Sequence, residues 1–198
     1  MRGVAAFDFD GTLAAGDSLS GFLSRTVGRP VLASTLATQA PAMVWAYTAR
    51  GGRDAAKAVL LTRLLRGRRL AELAAVGDLY GEDLVRRLRP SMLARVAWHR
   101  EHGHQLVIVS ASLDVYLEPV GRSLGFDAVL ATSLEVDGDG RLTGRLEGLN
   151  CRGGEKAARL RQWLDGAPAE IWAYGDSRGD RELLAMADHP VMIRRRTR

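Results

Sequence analysis

Cysteine is nearly absent from this chain: Cys151 stands alone among 198 residues, which excludes an intramolecular disulfide and fits a reducing setting. Histidine is scarce too. His99, His102 and His104 flank one expected helix end and His189 stands apart. None has the spacing to Cys151 that a zinc site needs, so all four are read as surface or core residues. The N-terminal stretch lacks the ordered basic, apolar and small-residue segments of a signal peptide, and a cytoplasmic location is expected. Internal repeats and low-complexity segments are missing as well. A strong charge imbalance disappears once its location is considered. Of 28 lysines and arginines, Arg194, Arg195, Arg196 and Arg198 form a tail, and the other 24 face 23 acidic residues. The body is near neutral, the tail reads as a solvated chain end, and nucleic acid is not expected as a partner. Charge is wholly absent from residues 31–49, a length close to a membrane span. Ser34, Thr35, Thr38, Gln39, Pro41 and Thr48 interrupt that run. It is read as a helical hairpin or a bent helix, with an interfacial, membrane-touching helix as the alternative.

What the chain does contain is ordinary for a soluble globular protein: 46% hydrophobic and 26% charged residues. Its length suits one domain, or a core with an insertion. Val4-Ala5-Ala6-Phe7 is a short apolar run ending in Asp8 and reads as a buried strand. From about Asp17 to Arg87 the pattern is helical, broken at Gly28-Arg29-Pro30, Pro41, Gly51-Gly52 and Gly67. Leu60, Leu61, Leu64 and Leu65 recur at helical spacing and read as core. After Pro90, helices over 91–102, 114–124, 153–164 and 178–187 alternate with strands over 105–109, 128–130, 170–174 and 190–193. A β-hairpin is expected over 135–143. This alternation predicts an α/β fold, a doubly wound parallel sheet with an α-helical cap inserted after the first strand. The expected division is a core of 1–13 and 89–198 and a cap of 14–88.

Three strand ends carry polar groups: Asp8 and Asp10, Ser110, and Asp176. An open α/β sheet binds ligands outside the carboxyl ends of its strands, so these distant residues are expected to converge. Asp8 and Asp10 lie two apart, and Gly11 lets the chain turn sharply after them. An ionised carboxylate there can be a nucleophile, a metal ligand, or both. The alternative is a capped Asp-Gly turn. Asp176 opens a helix after another strand, where a hard cation can be shared with Asp8, and Asp180 follows one turn later. The alternative is helix N-capping by Asp176 or Ser177. Ser110 and the N–H groups beyond it, at an expected helix start, can cradle a phosphate oxygen. Lys156 opens a helix, against the helix dipole, and calls for a nearby anion unless it is a solvated surface lysine.

Together these residues resemble the haloacid dehalogenase superfamily of phosphatases: Asp8-x-Asp10-Gly11-Thr12, then Ser110, then Lys156, then Gly175-Asp176-x-x-x-Asp180. The helical cap and the stretch 127–148 resemble the phosphoserine-phosphatase-like branch (subfamily IB). The resemblance implies a Mg2+-dependent phosphomonoesterase acting on a small phosphorylated metabolite such as phosphoserine. Asp8 would form an aspartyl-phosphate. Asp10 would protonate the leaving alcohol and then activate water. Gly11, Thr12, Ser110, Ala111 and Lys156 would hold the phosphate. Asp8, the carbonyl of Asp10 and Asp176 would bind Mg2+, with Asp180 supporting. Phosphoryl transfer needs mainly positioning and charge neutralisation, which this set supplies.

Departures from that branch bear on substrate. Asp17 stands near the position of a family Glu. The cap stretch Ala58-Val59-Leu60-Leu61-Thr62 is apolar where an Arg is expected, with Arg53, Lys57 and Arg63 nearby. The 151–156 segment and the uncharged run are similar to a bacterial subgroup that includes phosphatidylglycerophosphate phosphatases. Residues 50–69 hold seven basic residues against one acidic, Asp54. A lipid phosphate at an anionic membrane surface is therefore the alternative substrate, with a solvated helix face as the plainer reading of that charge. A receiver domain would carry its acceptor on a middle strand, which argues against that reading. A phosphate-binding non-enzyme would have lost Asp8 or Asp10, and a carbon–halogen hydrolase would not need Asp10 or the metal acids. No oligomeric state is read from the sequence.

Overall fold

A computed structural model describes residues 2–193, and the arginine tail lies outside the described residues. The first strand, β1 (Arg2–Phe7), leads into five helices: α1 (Leu19–Val27), α2 (Arg29–Arg50), α3 (Arg53–Leu65), α4 (Leu70–Val85) and α5 (Pro90–Glu101). Then follow β2 (Gln105–Leu113), α6 (Asp114–Leu124), β3 (Ala128–Val136), β4 (Leu142–Glu147), α7 (Gly154–Leu164) and β5 (Ala169–Gly175). A single 3-10 turn (Arg178–Asp180), α8 (Arg181–Ala185) and β6 (His189–Met192) complete the order.

The six strands form one sheet in the order β4-β3-β2-β1-β5-β6. All neighbours run parallel except β3 and β4, which are antiparallel. The strand β1 is central because Val4 to Phe7 are apolar on both faces and fully buried, as a strand covered on both sides must be. Its side chains alternate. Ala5 and Phe7 join a core with α1, α3, α4, α5 and α6, while Val4 and Ala6 join a second core with α7 and α8. The sheet is therefore doubly wound, as the alternation predicted. β1 lies between β2 and β5, so the chain departs from it in both directions, and the crevice outside its carboxyl end is the expected ligand position.

Helices α1 to α4 occupy the chain between two crossings that meet: Ala14 bridges Leu88, and the Arg89 N–H donates to the Leu13 carbonyl at 2.8 Å. Against α6, α4 packs through glycines. A Cβ on Gly77 would run into the Val115 carbonyl, and one on Gly81 would meet Pro119 Cβ at 2.8 Å. The leucine stripe of α3 is buried, as expected.

Three local expectations need correction. Residues 31–49 form one continuous helix, with Pro41 inside it rather than at a break. Proline removes one backbone hydrogen bond, and most of α2 faces solvent, where water can satisfy the freed carbonyl. β2 runs past Ser110 to Leu113, because it stays beside β3 through an irregular register, so Ser110 is not at a helix start. The helix expected at 178–187 is instead a 3-10 turn and a short α8. The Asp180 side chain draws back the N–H groups of Asp176 and Ser177, and Ser177 caps the turn.

Candidate active site

Every strand-end residue singled out above reaches one cavity of about 430 Å³ at the carboxyl edge of the sheet. Asp8, Asp10, Gly11, Ser110, Ala111, Lys156, Asp176 and Asp180 line it. Thr12 does not. It is fully buried beneath the turn, and its hydroxyl donates to Asp8 Oδ2 at 3.1 Å, so it braces the carboxylate instead of forming cavity wall. Gly11 has φ of 88° and abuts Asp176 so closely that a Cβ would collide with the carboxylate.

Asp8 directly follows β1, and its N–H donates to the Tyr174 carbonyl of β5 at 2.9 Å. Lys156 reaches it from the first turn of α7. The buried ammonium donates to Asp8 Oδ1 at 2.5 Å and to Asp180 Oδ1 at 2.6 Å. Burial alone would pull the Lys156 proton affinity down, but the two carboxylates outweigh it and raise it. Burial, reinforced by the Asp180 charge, raises Asp8 above the usual carboxylate range despite Lys156. Asp180 is also buried, yet Lys156 and Ser177 hold it below that range. Its second oxygen accepts from the N–H groups of Asp176 and Ser177 and from the Ser177 hydroxyl. Asp180 thus fixes the loop that carries Asp176.

Carboxylate oxygens of Asp8, Asp176 and Asp180 lie within 4.8 Å of one another. Three carboxylates around one ammonium leave excess negative charge, and an oxygen-only donor set suits a hard divalent cation such as Mg2+.

Asp10 sits in a different environment. Oδ1 accepts the Ser18 N–H at 3.0 Å, while Oδ2 accepts the Ser18 hydroxyl at 3.0 Å and the Ser112 hydroxyl at 2.8 Å. Tyr116 lies 3.0 Å from the Ser18 hydroxyl, and Tyr80 donates to the Ser18 carbonyl at 2.8 Å. Burial pushes the Asp10 carboxyl up to about 6, and the two serines oppose that rise. Oδ2 is filled by hydroxyls, so Oδ1 has the remaining capacity to carry a proton.

Sequence reasoning passed over Ser18, Ser112, Tyr80 and Tyr116. Ser112, two residues beyond Ser110 on a strand, shares its face, and that period was the available signal. Arg89 and Arg152 also line the cavity unforeseen. The three cap cations divide. Arg53 lines the cavity. Lys57 is drawn into a latch, donating to the Ala111 carbonyl at 2.6 Å and to Asn150 Oδ1 at 2.8 Å, and its burial lowers its proton affinity to about 8. Arg63 lines a separate groove between α2 and α3. Asp17 lines the cavity mouth and accepts the Ser20 N–H. Among the histidines, His99 is a core residue bonded to Tyr174 at 2.8 Å, and none of the four lines the cavity.

Residues 5–185 match the family of haloacid dehalogenase-like hydrolases. Protein CicA of Caulobacter vibrioides is 37% identical over 186 residues, covering 93% of this chain and 83% of CicA. The crystal structure of a protein with unknown function from Bordetella pertussis Tohama I superposes with a TM-score of 0.80. That protein is 30% identical, over 97% of this chain and 90% of its own. A probable phosphoserine phosphatase from Vibrio cholerae shares the fold, with a TM-score of 0.69 and 20% identity over 94% of this chain and 54% of its own.

Proposed function

This chain belongs to the haloacid dehalogenase-like hydrolases, and from that premise we propose that it hydrolyses phosphomonoesters through an aspartyl-phosphate on Asp8, with a small phosphorylated metabolite as substrate. It is a phosphatase of that family. One observation carries the reading: two carboxylates two residues apart sit in opposed environments. Asp8 is bonded to a buried ammonium, and Asp10 is caged by serines with its carboxyl raised to about 6. Burial raises both carboxyls, so the roles follow from their partners. The Lys156 ammonium and a cation at the Asp8, Asp176 and Asp180 cluster would favour ionised Asp8, the nucleophile, while Asp10 has neither beside its carboxyl and is the one to hold a proton.

In the first displacement an Asp8 carboxylate oxygen bonds to phosphorus while the bond from phosphorus to the alcohol oxygen breaks. Asp10 passes its proton from Oδ1 to the departing oxygen. In the second, water attacks phosphorus, Asp10 takes a proton from it, and the Asp8–phosphate bond breaks. Inorganic phosphate leaves and both aspartates are restored. Lys156 faces the oxygens of Asp8, and Ser110 and Gly11 line the same cavity as phosphate-oxygen partners. Asp8, Asp176 and the Asp10 carbonyl would hold Mg2+, with Asp180 anchoring the Asp176 loop. When bound, the cation offsets the repulsion between an anionic nucleophile and an anionic substrate. Residues 14–88 act as the cap over this site, carried by the core of 1–13 and 89–198, and the Lys57 latch joins the two.

A lipid phosphate is the second reading. It is favoured by α2, whose carboxyl end leads through Gly51-Gly52 into Arg53 at the cavity and whose outer face is apolar.

Asp8→Asn should abolish Mg2+-supported hydrolysis of p-nitrophenyl phosphate, and retained turnover would remove Asp8 as nucleophile. Beryllofluoride should raise the Tm only when Mg2+ is present. Protection without metal would remove Asp176 as a ligand.

A further inference from the structure

The outer face of α2 is unlike the rest of the surface. Among its described side chains only Leu32, Thr35 and Ala46 are buried, and the helical repeat places these three in one narrow stripe. The remaining face carries no charge from 31 to 49. Val31, Leu36, Val44, Trp45 and Tyr47 are 40–62% exposed, and they make up five of the eleven exposed large apolar side chains among the described residues. Scattered exposed apolar residues are normal, but a concentration on one helix marks an interaction surface. Two of the polar residues on this face are muted: the Thr38 and Thr48 hydroxyls donate back to the Ser34 and Val44 carbonyls.

The rim decides the partner. Between residues 18 and 71 the only acidic residue is Asp54, against nine basic ones. Asp54 already accepts from Asn150. Arg29, Arg53, Arg63 and Arg66 are exposed, and none pairs with a carboxylate among the described residues. Arg63 and Arg66 stand beside an alanine-lined groove of about 850 Å³ between α2 and α3.

From this we infer that α2 is a membrane-surface element: it lies in the plane of an anionic bilayer with Val44, Trp45 and Tyr47 in the headgroup region and the surrounding arginines on lipid phosphates. No helix among the described residues is long and apolar enough to cross a membrane, so α2 rests on the bilayer and does not span it. Aromatic side chains favour that interface, and a basic rim complements anionic lipid. A second copy of the chain fits less well, because a two-fold contact sets the same arginine-rimmed patch against itself. The attachment does not depend on the chemistry at Asp8.

The full chain is mixed with vesicles of phosphatidylcholine alone, or of phosphatidylcholine with phosphatidylglycerol, and floated on a density gradient. Binding to the mixed vesicles only, weakened by salt, is expected. Val44→Asp should abolish it. This site is 62% exposed, and an unchanged circular dichroism spectrum would show that the fold is kept. Arg63→Glu with Arg66→Glu should weaken binding at least about 25-fold, taking about fivefold per arginine. Asp8→Asn should bind as wild type, which separates this result from the catalytic reading. Failure to bind either vesicle overturns the inference. So does a dimer in light scattering that Val44→Asp dissolves, which would assign the face to a second copy.

Discussion

Ser112→Ala isolates the environment of Asp10. The Ser112 hydroxyl donates to Asp10 Oδ2 at 2.8 Å, and a hydrogen bond to a charged group contributes about 1.5–3 kcal/mol. The Ser18 N–H and hydroxyl remain, so the lower end applies, and 1.4 kcal/mol corresponds to about one pH unit. The bond favours the ionised carboxyl, so its loss raises the proton affinity. The first displacement uses Asp10 as an acid, and kcat/KM for an alkyl phosphate should therefore fall as pH rises through the Asp10 midpoint. In Ser112→Ala that alkaline limb should move up by about one pH unit. Nitrophenolate leaves without needing a proton, so the limb should be weak or absent with p-nitrophenyl phosphate for both proteins. An alkyl-phosphate limb at the same pH in wild type and variant would refute the cage. A limb of equal depth with both esters would remove Asp10 as the proton donor.

Three further outcomes follow from the same geometry. The Asp10 carboxyl rises from 3.8 to about 6 on folding, so wild type loses stability as pH climbs through that window. Asp10→Asn escapes the loss, and its metal-free stability advantage over wild type should grow between those pH values, reaching about 2–3 kcal/mol above them and showing as a widening Tm difference. A Tm difference that is flat with pH would contradict this. Lys156→Met leaves Asp8 and Asp180 facing each other in the interior, which should cost about 3–5 kcal/mol. In thermal scans Mg2+ should raise the Tm of this variant more than that of wild type, and an equal rise would count against a shared cation site. Gly77→Val drives a side chain into the Val115 carbonyl and should destabilise by about 1–3 kcal/mol. Denaturant unfolding would show this as a lower midpoint, and an unchanged midpoint would mean α4 and α6 can part freely.

The parallel α/β order was legible because strand and helix periods are local properties. β1 declared itself through four apolar residues before Asp8, and the core stripe of α3 through its leucines. Asp8, Asp10, Ser110, Lys156 and Asp176 were legible as candidates for a similar reason. Asp8, Asp10 and Asp176 follow a buried strand, Ser110 lies toward the carboxyl end of one and Lys156 opens a helix, and the sheet rule sends strand ends to one edge. Boundaries were less legible where pairing or a side chain overrides propensity, as β3 does in extending β2 and Asp180 in shortening α8.

By itself, then, the sequence determined the sheet and the set of acids and the lysine at its edge. Tertiary structure alone decided their proton affinities and partners. The serine cage joins residues 10, 18 and 112, and the Lys57 latch joins 57, 111 and 150. Contacts across separations of up to 102 residues leave no local period to read. The exposure of α2 has the same origin. A run without charge can be core or surface, and only the packing of α3 on one side of that helix left its apolar face outward.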